Sequence, residues 1–166
     1  MEDIAEDLGA QFPVCVPDTI LCDGFDELGI VTADYLANII EKKPDALICL
    51  AAGTTILSTL QELVKRNSEN KLDLSKVRFV SLDEWLDLDS NEENCYSFLN
   101  KHFYKPAGIK DSNITAFNPN AEDLEAECKR IDDYIFGCGG IDCVILGLGM
   151  NGHLGLNEPG ESFMDY

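Results

Sequence analysis

Ile141-Asp-Cys-Val-Ile-Leu146, followed by Gly147-Leu-Gly-Met-Asn-Gly-His-Leu-Gly-Leu-Asn-Glu-Pro-Gly-Glu161, decides how this chain is read. The first run is apolar except for Asp142, and it predicts a largely buried strand, because a run without polar alternation suits a strand covered on both faces. The second carries glycine at 147, 149, 152, 155 and 160. Glycine keeps the main chain free of side-chain bulk and permits positive φ, so a ligand can lie against backbone amides. Set into the loop are His153, a proton carrier near neutrality, and Glu158, a carboxylate able to orient it. The C-terminal ends of parallel strands are where open α/β sheets bind ligands. A plain turn with a surface histidine is the blander reading, and the crowding of glycines around one His and one Glu counts against it.

Working outward, the elements before this stretch alternate. Leu28, Val31, Tyr35, Leu36 and Ile39 recur at helical spacing, with Pro44 beyond as the stop. Ala46 to Ala51 is a continuous apolar run and predicts a central strand. Gly53-Thr54-Thr55 then turns into a helix striped by Ile56, Leu57, Leu60, Leu63 and Val64. Val77 to Leu82 predicts the next strand, with Asp83-Glu84-Trp85 at its end. A helix over about Glu93 to Tyr104 packs Tyr96, Phe98, Leu99 and Phe103. Asn113 to Phe117 is a short strand, and a helix with Leu124, Cys128, Ile131 and Ile135 on one face runs to the Gly137–Gly140 stop. This β-α-β-α-β-α-β order predicts an α/β fold: a doubly wound, mainly parallel sheet with helices on both faces and right-handed crossovers. Met1 to Asp18 is acidic, is broken by Pro13 and Pro17, and reads as a tail ahead of a single domain over residues 19–166.

Parallel order gathers three loops at one sheet edge: Ala51 to Thr55, Asp83 to Asp89, and Gly147 to Glu161. The first leads into a helix N-terminus, whose free N–H groups suit an anion such as phosphate. Thr54 and Thr55 could donate hydroxyls to that ligand or cap the helix. Asp83 and Glu84 should point to opposite sides if strand alternation persists, so only one enters the site, where a carboxylate could serve as base for a proton beside a carbonyl.

Composition limits the alternatives. The chain has 166 residues and a net charge of −19, which argues against nucleic acid and anionic membranes as partners. No apolar run approaches the length of a membrane span and the acidic N-terminus lacks a signal peptide's basic start, so a cytosolic location is expected. The seven cysteines include no CxxC pair and read as buried thiols. With two histidines and no cysteine pairs at ligand spacing, no structural metal site is expected.

The segments LICLAAGTT, FVSLDEWLDL and LGLGMNGHLGLNEPGES, supported by DYLANIIEKKPDA and ECKRI, resemble the glucosamine-6-phosphate deaminase and 6-phosphogluconolactonase superfamily. The resemblance is strongest to its galactosamine-6-phosphate isomerase (deaminating) branch. It implies an amino-sugar 6-phosphate isomerase that releases ammonia in carbohydrate metabolism, without cofactor or metal. Asp83 would shuttle a proton between C2 and C1 of the open-chain sugar. His153, tuned by Glu158, would open the pyranose ring. The Gly53-Thr54-Thr55 turn would hold the phosphate, with Glu84 and Gly152 beside the substrate. Asn151 completes the catalytic set, standing where glucosamine-6-phosphate deaminases carry Asp. Ala52 replaces a Ser or Thr of the phosphate turn, and Ile56 replaces its Pro. Relatives continue past Tyr166 and carry basic phosphate clamps there, so a fold cut short is expected, with self-association and weak turnover. A lactone hydrolase and a non-catalytic sugar-phosphate-binding module are the alternatives. Asp83 and Asn157-Glu158-Pro159 disfavour the first, and the full Asp83, His153, Glu158 set disfavours the second.

Overall fold

A computed structural model describes residues 18–88, 94–155 and 157. The chain begins with helix α1 (Phe25–Lys42), strand β1 (Leu47–Leu50), a 3₁₀ turn (Thr54–Ile56) and helix α2 (Leu57–Ser68). Strand β2 (Arg78–Ser81) follows, then a helical segment made of α3 (Cys95–Leu99), a π turn (Asn100–Tyr104) and a last turn α4 (Lys105–Ala107). Strand β3 (Ile114–Thr115), helix α5 (Leu124–Gly137) and strand β4 (Cys143–Ile145) complete it. The strands pair in the order β3-β2-β1-β4, all parallel, as the alternation of elements predicted. Because the chain steps one way from β1 to β3 and then returns to the other side of β1, a topological switch lies between β1 and β4.

Strand alternation sorts the core into two layers. Ile48 and Leu50 of β1 and Phe79 of β2 face the larger one, with Ala33, Leu36 and Ile40 of α1, Leu60 and Leu63 of α2, and Leu99, Phe103 and Tyr104. Phe79 and Phe103 meet edge to face at 5.2 Å between ring centroids. On the opposite face Leu47, Cys49 and Val80 pack against Ile131 of α5. Both sides of β1 are therefore buried, which is why its sequence reads as an unbroken apolar run.

Several finer expectations fail for physical reasons. The buried stripe of α1 is Gly29, Ala33, Leu36 and Ile40, whereas Tyr35 is exposed. At Gly29 an added Cβ would stand 2.7 Å from the Ser58 carbonyl carbon, so α1 and α2 meet backbone to backbone and only small residues fit the seam. On α5 only Ile131 is buried. Leu124 and Cys128 are not core; they line a cavity of about 350 Å³ with Leu82, Leu86 and Phe117. Cys128 is exposed and the other described cysteines are free thiols of varied burial, so the uniform burial expected of them does not hold. Strand β4 is only half-buried, with Val144 42% exposed, because β1 is its one sheet neighbour among the described residues. Of the predicted acidic tail, residues 1–17 lie outside the described residues. No described helix is long and apolar enough to cross a membrane.

The N-terminal edge of the sheet is fastened by the one charged residue of the β4 run. Asp142 accepts hydrogen bonds from Leu47 N at 2.8 Å and Lys43 Nζ at 2.9 Å. Partial burial raises the cost of its charge, and the Lys43 and Leu47 hydrogen bonds outweigh that cost and hold its carboxyl below the usual range. Asp142 thus sets the register of β4 on β1 and, through it, the position of the loop at the far end.

Candidate active site

At the opposite edge, Ala51, Ala52, Thr55, Leu82, Asp83, Gly147, Leu148, Gly149, His153 and Gly155 enclose a cleft of about 190 Å³. The three loops predicted to converge do so, over the switch between β1 and β4.

The β1 loop leaves the sheet at Ala51, whose N–H still joins the ladder to Ile145 O at 3.0 Å. Gly53 turns the chain at φ 129°, a conformation other residues rarely adopt, and starts the 3₁₀ turn. Neither this turn nor α2 has a side-chain N-cap, so the capping role open to Thr54 and Thr55 is not used. Thr55 reaches across the switch toward Gly147, where an added Cβ would come 3.9 Å from its side chain. Gly53 and Thr54 do not line the cleft, and Thr54 is exposed.

At the end of β2 the two adjacent carboxylates part, as alternation predicts. Asp83 lines the cleft. Glu84 turns away, and its carboxylate accepts from Trp85 N at 2.9 Å, Cys95 N at 2.7 Å and Tyr96 N at 2.9 Å. It acts there as an added cap on α3, beside Asn94, whose Oδ1 accepts from Ser97 N at 2.7 Å. Cys95 Sγ donates to Asp83 Oδ1 at 3.5 Å. Burial, then the charges of Asp83 and Glu84, push the Cys95 thiol up to about 12. Cys49, beneath on β1, is pushed to about 12 by burial and, next, by Asp83.

The β4 loop folds back on itself. Gly149 N donates to His153 O and Gly152 N to Gly149 O, each at 2.9 Å, and Leu148 bridges Leu154 in antiparallel fashion. This brings the His153 imidazole against Gly149, where an added Cβ would stand 2.5 Å from Cε1. A larger residue at 149 requires the imidazole to move. Asn151 Oδ1 accepts from His153 N at 3.3 Å, so Asn151 supports the loop; like Gly152 it does not line the cleft. Glu158 lies outside the described residues.

Among the described residues, Asp83 and His153 are therefore the titratable groups that line the cleft, a carboxylate and an imidazole bordering one small space. No described Lys or Arg lines it. Of the described cations, Lys43, Arg66, Arg78, Lys129 and Arg130 are paired with carboxylates elsewhere. Sequence reasoning missed Cys95, which is twelve residues from its partner with nothing local to join them, and gave Gly149 no more weight than the other glycines. It also placed Glu84 beside the substrate, whereas the structure commits its carboxylate to the α3 amides.

The chain has known relatives. Residues 25–155 match the family described as glucosamine-6-phosphate isomerases/6-phosphogluconolactonase. The chain is 42% identical to the protein named AgaI in Escherichia coli (strain K12), over 84% of this chain and 56% of that protein. It is 38% identical to glucosamine-6-phosphate deaminase 1 of Bacillus subtilis (strain 168), over 86% of this chain and 59% of that one. A solved monomeric glucosamine-6-phosphate deaminase of the NagB superfamily superposes with a TM-score of 0.79 at 36% identity, covering 86% of this chain and 59% of the other. A 6-phosphogluconolactonase from Thermotoga maritima shares the fold, with a TM-score of 0.68 at 24% identity over 82% and 61% of the two chains. The chain thus spans less than two thirds of the length of these relatives. By its match to the family over residues 25–155 and by its likeness to these relatives, it belongs to the glucosamine-6-phosphate isomerase/6-phosphogluconolactonase family.

Proposed function

We propose that this protein acts on an amino-sugar 6-phosphate, isomerising the aldose to a ketose and releasing ammonia. The observation that carries the reading is that Asp83 and His153 both line one cleft at the switch point. His153 assists opening of the ring by moving a proton at the ring oxygen. Asp83 takes the proton from C2 of the open-chain sugar and returns it to C1 through an enediol-like intermediate. The imine left at C2 adds water and loses ammonia, so atoms balance without redox chemistry. Thr55 and the backbone of the β1 loop meet the phosphate near the start of α2. Glu158 tunes His153.

The named relatives that are glucosamine-6-phosphate deaminases support this class of substrate. Between glucosamine and galactosamine, Asn151, which stands where glucosamine-6-phosphate deaminases carry Asp, favours the galactosamine epimer. Incubating the protein with each amino-sugar 6-phosphate and measuring ammonia tests the reading. Release of ammonia from galactosamine 6-phosphate, lowered about a hundredfold or more by Asp83→Asn with binding retained, is expected. A folded chain that binds these sugars without turnover would instead be a binding module, and hydrolysis of 6-phosphogluconolactone in their place would make it a lactonase.

A further inference from the structure

We propose that Cys95 is a positioning residue for Asp83, its thiol holding the carboxylate in the orientation that faces the cleft. The inference rests on Asp83 being the base of the reaction proposed above. Cys95 is tied to the end of β2 twice. Its backbone N–H donates to Glu84 Oε1 at 2.7 Å, and its Sγ donates to Asp83 Oδ1 at 3.5 Å. Tyr96 N adds a second bond to Glu84, at Oε2 and 2.9 Å. The dipeptide Asp83-Glu84 is thus gripped by the first turn of α3, one carboxylate by amides and the other by the thiol. That turn is itself anchored, since Asn94 is buried and caps it through Ser97 N.

A carboxylate at a strand end has a free χ1 and χ2, and a base that must reach both C1 and C2 gains from having one orientation fixed in advance. The thiol suits the task because it stays protonated at neutral pH: burial and the two neighbouring carboxylates oppose its ionisation. The same protonation rules it out as a nucleophile. A thiol is a weak donor, so its loss should be felt in rate rather than in folding.

Cys95→Ala removes the donor and Cys95→Ser restores one. On the amino-sugar phosphate, Cys95→Ala is expected to lower kcat about fivefold to tenfold with KM nearly unchanged, and Cys95→Ser to recover most of the loss. If the side chain only fills space, the serine variant will be at least as impaired as the alanine one, and the proposal fails. A second readout needs no turnover, so it separates this inference from the functional reading. The infrared S–H stretching band of Cys95, isolated by subtracting the spectrum of Cys95→Ser, is expected to shift to higher frequency in Asp83→Asn, where a neutral amide accepts in place of a carboxylate. An unmoved band would overturn the contact whatever the substrate proves to be.

Discussion

The two arms of the cleft are built by opposite means. The Asp83 arm is held by side chains: Glu84 takes three amides and Cys95 reaches Asp83 from a helix that begins twelve residues later. The His153 arm is held chiefly by backbone hydrogen bonds and by missing side chains, above all at Gly149, whose bare Cα is the seat of the imidazole, with the Asn151 and Asn157 amides as its side-chain supports. One arm is fixed by what its residues carry and the other by what they lack. A substitution should therefore act on the first by removing a partner and on the second by adding an obstacle.

Among substitutions at the supports of the two arms, the largest effect is expected from Gly149→Ala. An added methyl 2.5 Å from Cε1 cannot be accommodated unless the ring or the loop moves by about an ångström, and a displacement of that size at a reacting group can cost about a hundredfold in rate. The variant should stay folded, since the loop contributes little to either core layer. Ammonia release measures the rate, and the His153 ring resonances measure the displacement. Unchanged rate and unchanged resonances together would mean that the imidazole is not seated on Gly149.

On the other arm, Glu84→Ala should act on stability. It leaves two backbone amides at the start of a short helix, and the Trp85 amide beside it, without their acceptor, for a cost of about 2 kcal/mol. Urea unfolding should register the loss, and amide exchange should quicken at Cys95 and Tyr96. Glu84→Gln, which keeps an acceptor oxygen but not the charge, should fall between. If the alanine variant matches the parent in both measurements, the Asp83 arm does not depend on side-chain hydrogen bonds and the contrast between the arms collapses.

The same contrast explains what could be read from the sequence. Each strand and helix was visible because its signal is local: an apolar run for β1, helical spacing for α2, glycines after α5. Asp83 and His153 were visible because parallel order dictates which strand ends share an edge. The splitting of Asp83 from Glu84 followed from alternation alone. Glu84's destination did not, because its partners lie on α3 and only folding brings them near. The α1 seam was misread toward Tyr35 because small residues carry no hydrophobic signal, although Gly29 and Ala33 are what permit the close approach to α2. The partial exposure of β4 was hidden for a related reason: a run of apolar residues does not disclose how many neighbours the strand will have.

The smallest expected effect concerns acid, and it sharpens the comparison because, among the described residues, carboxylates accept directly from loop amides on the Asp83 side, whereas Asp142 acts on the His153 loop only from the far end of β4. Beyond the Asp83 arm, the loop after β3 is bolted to α5 by Glu127. Its Oε1 accepts from Asn118 N at 2.6 Å, and Arg130 donates to it through Nε at 2.8 Å and Nη2 at 2.7 Å. Arg130 Nη2 also reaches Ala116 O at 2.7 Å. The Arg130 hydrogen bonds outweigh the cost of desolvation and, with Asn118 N, hold the Glu127 carboxyl down at about 2. A carboxyl whose pKa is lower folded than unfolded stabilises the fold above its unfolded value, about 4.3, and that contribution fades as pH falls toward 2. Arg130 is about half exposed, so solvent screening reduces the contribution to about 1 kcal/mol. Between pH of about 5 and 3, exchange at the Asn118 amide, corrected for its intrinsic rate, should therefore become less protected. Gly149 N and Gly152 N, which bond only to carbonyls, should keep their protection across the same window. Glu127→Gln should remove the pH dependence at Asn118 by giving the weakened state at every pH. Equal acid sensitivity in the two loops would show that both are held by titrating groups, and the division between the arms would have to be abandoned.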